Sequence, residues 1–226
     1  MAQLFHPAAN TLAKATVFAA ALLTAGIGLI YWFIETSPYV TLAGEVRNQP
    51  IPFSHAHHVG GLGIDCRYCH VQVEESNFAG MPPTKTCMSC HSVIWTNADM
   101  LEPVRQSWRS GQPIVWQRVH NLPGYVYFNH GIHVNKGIGC VTCHGNVDEM
   151  PLMYQRGSLQ MAWCLDCHRQ PERFIRPRDQ VFNLHYDPRQ DPQHLGETQR
   201  TLGPKLVAEY HILPRRQLED CFTCHR

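Results

Sequence analysis

No cysteine in this sequence stands alone. All ten belong to five Cys-x-x-Cys-His runs, so none is left over for a disulfide or a nucleophile. Net charge is almost absent as well. Nineteen Lys and Arg against 18 Asp and Glu leave +1 with His neutral, which gives no footing for nucleic-acid binding. Acidic residues are missing from positions 1–14, and residues 15–34 hold no charge of either sign. No Ala-x-Ala cleavage signal follows that run, as a removable signal peptide would require.

What is present is a repeated haem c attachment sequence. In Cys-x-x-Cys-His the two thiols add across the two vinyl groups of a porphyrin, and the next residue binds the iron from one face. The thioether positions are Cys66 and Cys69, Cys87 and Cys90, Cys140 and Cys143, Cys164 and Cys167, and Cys221 and Cys224. The proximal ligands that follow are His70, His91, His144, His168 and His225. A zinc knuckle or a redox dithiol uses paired cysteines, but neither needs His after every second one, five times out of five. The sequence therefore predicts five haem c groups. With ionised propionates the holoprotein would carry about −4 oxidised and about −9 fully reduced, so the charge of the bare chain misleads.

Residues 53–70 (FSHAHHVGGLGIDCRYCH) and 128–144 (FNHGIHVNKGIGCVTCH) share Phe-x-His-x-x-His-Val and then Gly-Ile-x-Cys-x-x-Cys-His. Each is followed by a second motif, so 53–91 and 128–168 read as a duplicated two-haem unit. The repeat assigns His55, His58, His130 and His133 as distal ligands. The first His of each pair would serve its own unit's haem and the second a neighbouring one. The fifth distal ligand is open between His120, Met161 and Met150; a thioether would raise that haem's potential relative to two imidazoles. His57, His185, His194 and His211 read as ordinary.

The expected organisation is a cytoplasmic tail (1–10), a transmembrane anchor (11–35) and an extracytoplasmic haem domain (36–226). The uncharged run of 20 residues is long enough to span a bilayer. Tyr31 and Trp32 fall where an interfacial aromatic belt would lie. Lys14 favours an N-terminus inside, and haem c attachment outside the bacterial cytoplasm places 36–226 in the periplasm. Ala15/Ala19 and Ala21/Ala25 permit close helix contact, or simply face lipid. Roughly 40 external residues per haem cannot build an ordinary core around each cofactor. The fold class expected is a multihaem cytochrome c: short helices and coil around haems, with few strands. Residues 92–127 carry Trp95, Trp108 and Trp116 for packing on porphyrin faces or a neighbour. Residues 169–226 form a Pro-rich, charged surface arm that ends in the fifth haem.

Three runs carry a family resemblance: VEESNFAGMPPTKTCMSCH (73–91), IVWQRVHNLPGYVYFNHGIHVNKGIGCVTCHGNVDEM (114–150) and LQMAWCLDCHRQPE (159–172). Together with the single anchor they resemble the pentahaem cytochrome subunit of alternative complex III, a quinol:electron-acceptor oxidoreductase. The resemblance implies an electron-transfer subunit that is not an enzyme by itself. It also implies partners: an iron–sulfur subunit, quinol-binding integral membrane subunits, often a monohaem cytochrome c, and a soluble periplasmic acceptor. The alternative is a stand-alone membrane-anchored multihaem quinol dehydrogenase. Those proteins often carry Met two residues after the first proximal His, where this chain has Gln72. A catalytic nitrite or hydroxylamine reductase needs one open iron, and ten histidines beyond the motifs make full coordination easy.

Overall fold

The computed structural model describes residues 5–225. The chain divides into two units, Met1–Leu42 and Ala43–Arg226.

The first unit is helix α1 (Ala8–Thr36) followed by the short α2 (Pro38–Thr41). Twenty-nine helical residues reach about 43 Å at 1.5 Å per residue, more than the roughly 30 Å of a hydrocarbon layer. No residue of α1 is buried against protein. Three of its threonine hydroxyls bond back to the helix: Thr16 donates to Ala13 O at 3.0 Å, Thr24 to Ala20 O at 2.9 Å and Thr36 to Trp32 O at 2.8 Å. The helix starts earlier than the expected anchor boundary, because Ala8 to Ala13 contains nothing that breaks it once Pro7 has set the N-cap. Of the expected tail, residues 1–4 lie outside the described residues.

The second unit contains no extended strand among the described residues, only isolated bridges such as Ile138↔Ile175 and Val126↔His225. Its helices are short, because a Cys-x-x-Cys-His motif needs one turn and little more. They are α3 (Cys66–Cys69), α4 (Thr84–His91), α5 (Glu102–Ser110), α6 (His130–Asn135), α7 (Cys140–His144), α8 (Met161–Arg169), α9 (Gln199–Glu209), α10 (Arg215–Leu218) and α11 (Cys221–Cys224). The π-helical turn Ala56–Gly61 precedes α3.

Apolar burial is scattered over four small clusters. The expected surface arm is in fact the best-packed stretch. Ile175, Leu202, Leu206 and Tyr210 bury each other as α9 lies on the turn Pro171–Arg173. That approach needs Gly203, where a Cβ would sit only 1.9 Å from Glu172 O. Trp116 packs with Ile51, Leu101 and Val104, and Trp95 stacks on His57 at 6.0 Å.

The two repeats hold each other reciprocally. The π turn of the first lies on the turn Val147–Glu149 behind the second repeat's α7: Ala56 N donates to Met150 O at 3.0 Å. Helix α6 of the second repeat lies on residues 74–77, just behind the first repeat's α3. There Gly131 N donates to Ser76 O at 2.9 Å and Asn135 Nδ2 to Glu74 O at 2.6 Å.

Candidate haem-ligand sites

Each motif sits on a helical turn, so its cysteines at i and i+3 share one face and the His at i+4 follows on the same side. Asp65 and Asp220 cap two of these turns, accepting from Arg67 N at 2.8 Å and Phe222 N at 2.9 Å. All ten cysteines are unpaired thiols. Among the described residues no three His, Cys, Asp or Glu side chains converge as a metal-ion cluster. Instead the histidines meet in facing pairs.

The ring centres of His58 and His91 lie 6.3 Å apart, those of His130 and His144 6.3 Å, and those of His133 and His168 6.2 Å. Two imidazoles bound to one metal through nitrogen, at about 2 Å per bond and about 1 Å from nitrogen to ring centre, stand roughly 6 Å apart. The second His of each repeat thus faces the second motif of its own repeat. His130 faces the first motif of its repeat. Among the described residues His55 has no histidine partner at that separation; after burial, His70 does most to lower its pKa.

The rings are turned to present Nε2. Nδ1 donates to a backbone carbonyl in seven of them: His58 to Ser54 at 2.9 Å, His70 to Gly80 at 2.8 Å, His91 to Ile94 at 3.2 Å, His130 to Asn77 at 3.1 Å, His133 to Asn129 at 2.7 Å, His168 to Leu218 at 2.9 Å and His225 to Tyr125 at 3.2 Å. A carbonyl accepts only, so Nδ1 carries the proton and Nε2 keeps its lone pair for a metal. The phenylalanine that opens each repeat sets the ring angles. Phe53 stacks on His58 at 4.4 Å and meets His55 edge-on at 4.9 Å; Phe128 does the same with His133 at 4.4 Å and His130 at 4.7 Å.

Burial keeps the central rings neutral. It lowers His55 to about 4, with repulsion from His70 and His58 adding to it. It lowers His144 to about 3, where His120, His130, His70 and His55 all contribute. Neutral imidazoles are the state in which iron is bound. The residues therefore fit the haem group: paired lone pairs at the right separation, fixed tautomers and two thiols beside each pair's motif histidine.

The fifth motif is held by residues 125–127, with Tyr127 N donating to Cys224 O at 2.8 Å. Among the described residues no second histidine faces His225, whose ring neighbour is Tyr125. His120 lies instead against His144, with ring centres 4.3 Å apart, and its Nε2 is buried without a hydrogen-bond partner. Met150 is buried with Val147 and Leu184. Met161 opens α8 with its side chain exposed, one turn before Cys164, and the far end of α8 meets the turn before the fifth motif, where Arg169 pairs with Glu219. Sequence reading had no signal for the contact between His120 and His144, which rests on a fold-back across 24 residues.

A profile described as cytochrome c7 and related cytochrome c matches residues 126–226, the second repeat and the fifth motif. The menaquinone reductase multiheme cytochrome c subunit of Nitratidesulfovibrio vulgaris (strain Hildenborough) is 31% identical over 143 residues, covering 54% of this chain and 68% of that protein. The facing imidazoles beside Cys-x-x-Cys helices are what such proteins need, and on both grounds the chain belongs to the multihaem cytochromes c.

Proposed function

We propose that the chain is the electron-transfer subunit of a membrane quinol:acceptor oxidoreductase of the alternative complex III kind, carrying five c-type haems on the periplasmic side of the membrane. Its partners in this reading are an iron–sulfur subunit, quinol-binding integral membrane subunits, a monohaem cytochrome c and a soluble acceptor. Bound haem c supplies one-electron exchange at its iron. The observation that carries the proposal is the set of three imidazole pairs at 6.2–6.3 Å. At these three sites the paired histidines would hold the haem iron between them and leave no position for a substrate. The chain's own residues set ligation and spacing and take no part in bond chemistry.

His55 with His70 completes a fourth pair in this reading, by analogy with His130 and His144. Met161 supplies the fifth distal ligand. Its side chain is exposed at the start of α8, whereas the His120 ring rests on His144 and Met150 is buried in apolar packing.

Helix α1 anchors the subunit and does no quinol chemistry. Quinol oxidation releases two protons, which need a receiving group beside a lipid-accessible pocket. Residues 15–34 offer no ionisable acid or base apart from Tyr31, and one helix cannot enclose a quinone ring. The named relative favours a second reading of the same architecture, in which electrons run towards menaquinone instead of away from a quinol.

Purification in mild detergent, followed by stopped-flow mixing with menaquinol, tests the proposal. The complex should show rapid, inhibitor-sensitive haem reduction, and the isolated subunit none. Rapid reduction of the single subunit would establish the stand-alone quinol dehydrogenase. A complex that only oxidises its haems on adding menaquinone would establish the reversed direction.

A further inference from the structure

Arg176 is a half-buried cation without a carboxylate. Seven arginines of the haem unit pair with acids: Arg67 with Asp65, Arg105 and Arg109 with Glu102, Arg169 and Arg215 with Glu219, Arg173 with Asp166, and Arg189 with Asp187. Arg176 forms no ion pair among the described residues. Burial holds its guanidinium below the usual arginine range. Its Nη1 donates to Asn183 O at 2.9 Å, its face lies 5.5 Å from the Tyr186 ring, and its Nε is buried with no acceptor.

Its position is fixed by the backbone. Arg176 N donates to Gly137 O at 2.8 Å, beside the bridge between Ile138 and Ile175. The guanidinium then crosses Gly139, the residue before Cys140. A Cβ on Gly139 would lie 2.3 Å from its central carbon, so only glycine lets it through. A guanidinium whose buried Nε has no acceptor is best satisfied by an anion that accepts in its plane. The chain offers none there.

We propose that Arg176 binds a propionate carboxylate of the haem attached at Cys140 and Cys143. The inference rests on the reading of that motif as a haem site. It gives Arg176 a role in setting that haem's potential, because a fixed positive charge beside a haem favours the ferrous state.

The test uses the full-length protein in its complex, with haem attachment at each motif read by peptide mass. Spectroelectrochemical titration of Arg176→Gln should show one of the five midpoint potentials moved downward and four unmoved, with Arg176→Lys returning most of the shift. Five unmoved potentials in a fully loaded Arg176→Gln protein would overturn the proposal. Should Arg176→Gln fail to accumulate, the redox-difference infrared spectrum of the wild-type protein with 13C-labelled haem carboxylates decides. One carboxylate band displaced from the rest, and shifted again in Arg176→Lys, supports the contact; bands all at the hydrated position refute it. Absence of haem on Cys140 and Cys143 would instead defeat the underlying assignment.

Discussion

The two repeats differ by one residue between their phenylalanine and their first cysteine, and the structure shows what that residue can and cannot change. Phe53 precedes Cys66 by 13 positions and Phe128 precedes Cys140 by 12. The first repeat absorbs the extra residue as the π turn Ala56–Gly61, where the second has the α-helix His130–Asn135. A single-turn π bulge is the usual way to take up an insertion without moving what lies before it. The ring contacts are accordingly the same to within 0.2 Å: 4.9 and 4.4 Å in one repeat, 4.7 and 4.4 Å in the other. What changes is the outer partner of the first histidine. His130 Nδ1 reaches Asn77 O, whereas His55 Nδ1 is buried without an acceptor. Ring geometry was kept in both repeats, as was the carbonyl behind the second histidine, and only the support behind the first was not.

The largest effect should come from removing matched ligands. His58→Ala and His133→Ala should each turn one haem of five high-spin, read by near-infrared magnetic circular dichroism, and each should spare the haem lost in the other. If His133→Ala does so and His58→Ala leaves all five low-spin, the π turn has moved the first repeat's ligand and the equivalence of the repeats fails.

A smaller difference should separate the two seats. A Cβ at Gly60 would lie 2.4 Å from Asp148 O, while one at Gly131 would lie 3.0 Å from Glu74 O. Backbone carbonyls cannot swing aside, so Gly60→Ala should cost about 3 kcal/mol and Gly131→Ala about 1 kcal/mol, the span expected for overpacking. Denaturant unfolding of the holoprotein measures both. Equal losses would mean that the seats are equally tight.

The smallest effect concerns pH. His185 Nε2 binds Asp148 Oδ2 at 2.6 Å, and this hydrogen bond raises the His185 pKa. The stabilisation is therefore complete below the unfolded-state pKa and lost as pH rises through the higher folded value. The His185 side of the pair is exposed, so salt screens the interaction. Amide exchange at Ala56, which is seated beside Asp148, should speed up slightly across that range, while Gly131 on the other seat should stay unchanged. Parallel changes at both amides would show that the seats are not independent.

Local repetition made much of this legible in the sequence. The Phe-x-His-x-x-His spacing places both imidazoles around one phenylalanine, and such short-range geometry survives translation into structure in both copies. The uncharged run at 15–34 announced α1, although nothing in it marked Ala8 as the first helical residue. Long-range pairings left no such trace. The reciprocal seating joins residues 74–77 to 130–135 and 56–60 to 147–150 through backbone groups, which every residue carries. Arg176 looked like any basic residue of a charged stretch until the backbone pairing with 137–138 laid it across Gly139. The stretch 169–220 read as a surface arm because its charges and prolines are dense; Leu202, Leu206 and Tyr210 do recur at i, i+4 and i+8, but Pro204 interrupts that run and Ile175, their partner, lies 27 residues before it.

The reciprocal seats also bear on the order in which the molecule can be made. A chain synthesised from its N-terminus exposes the first repeat while Met150, the acceptor for Ala56 N, has yet to be added. Until then the turn that carries His55 and His58 has no floor, whereas α6, arriving later, finds residues 74–77 already in place. The nascent first half is thus the vulnerable one, open to misligation for as long as about 90 residues take to follow, some 5–20 s at 5–20 residues per second. Any factor that guards this chain during biogenesis has its brief window there, before the second half arrives to close the first.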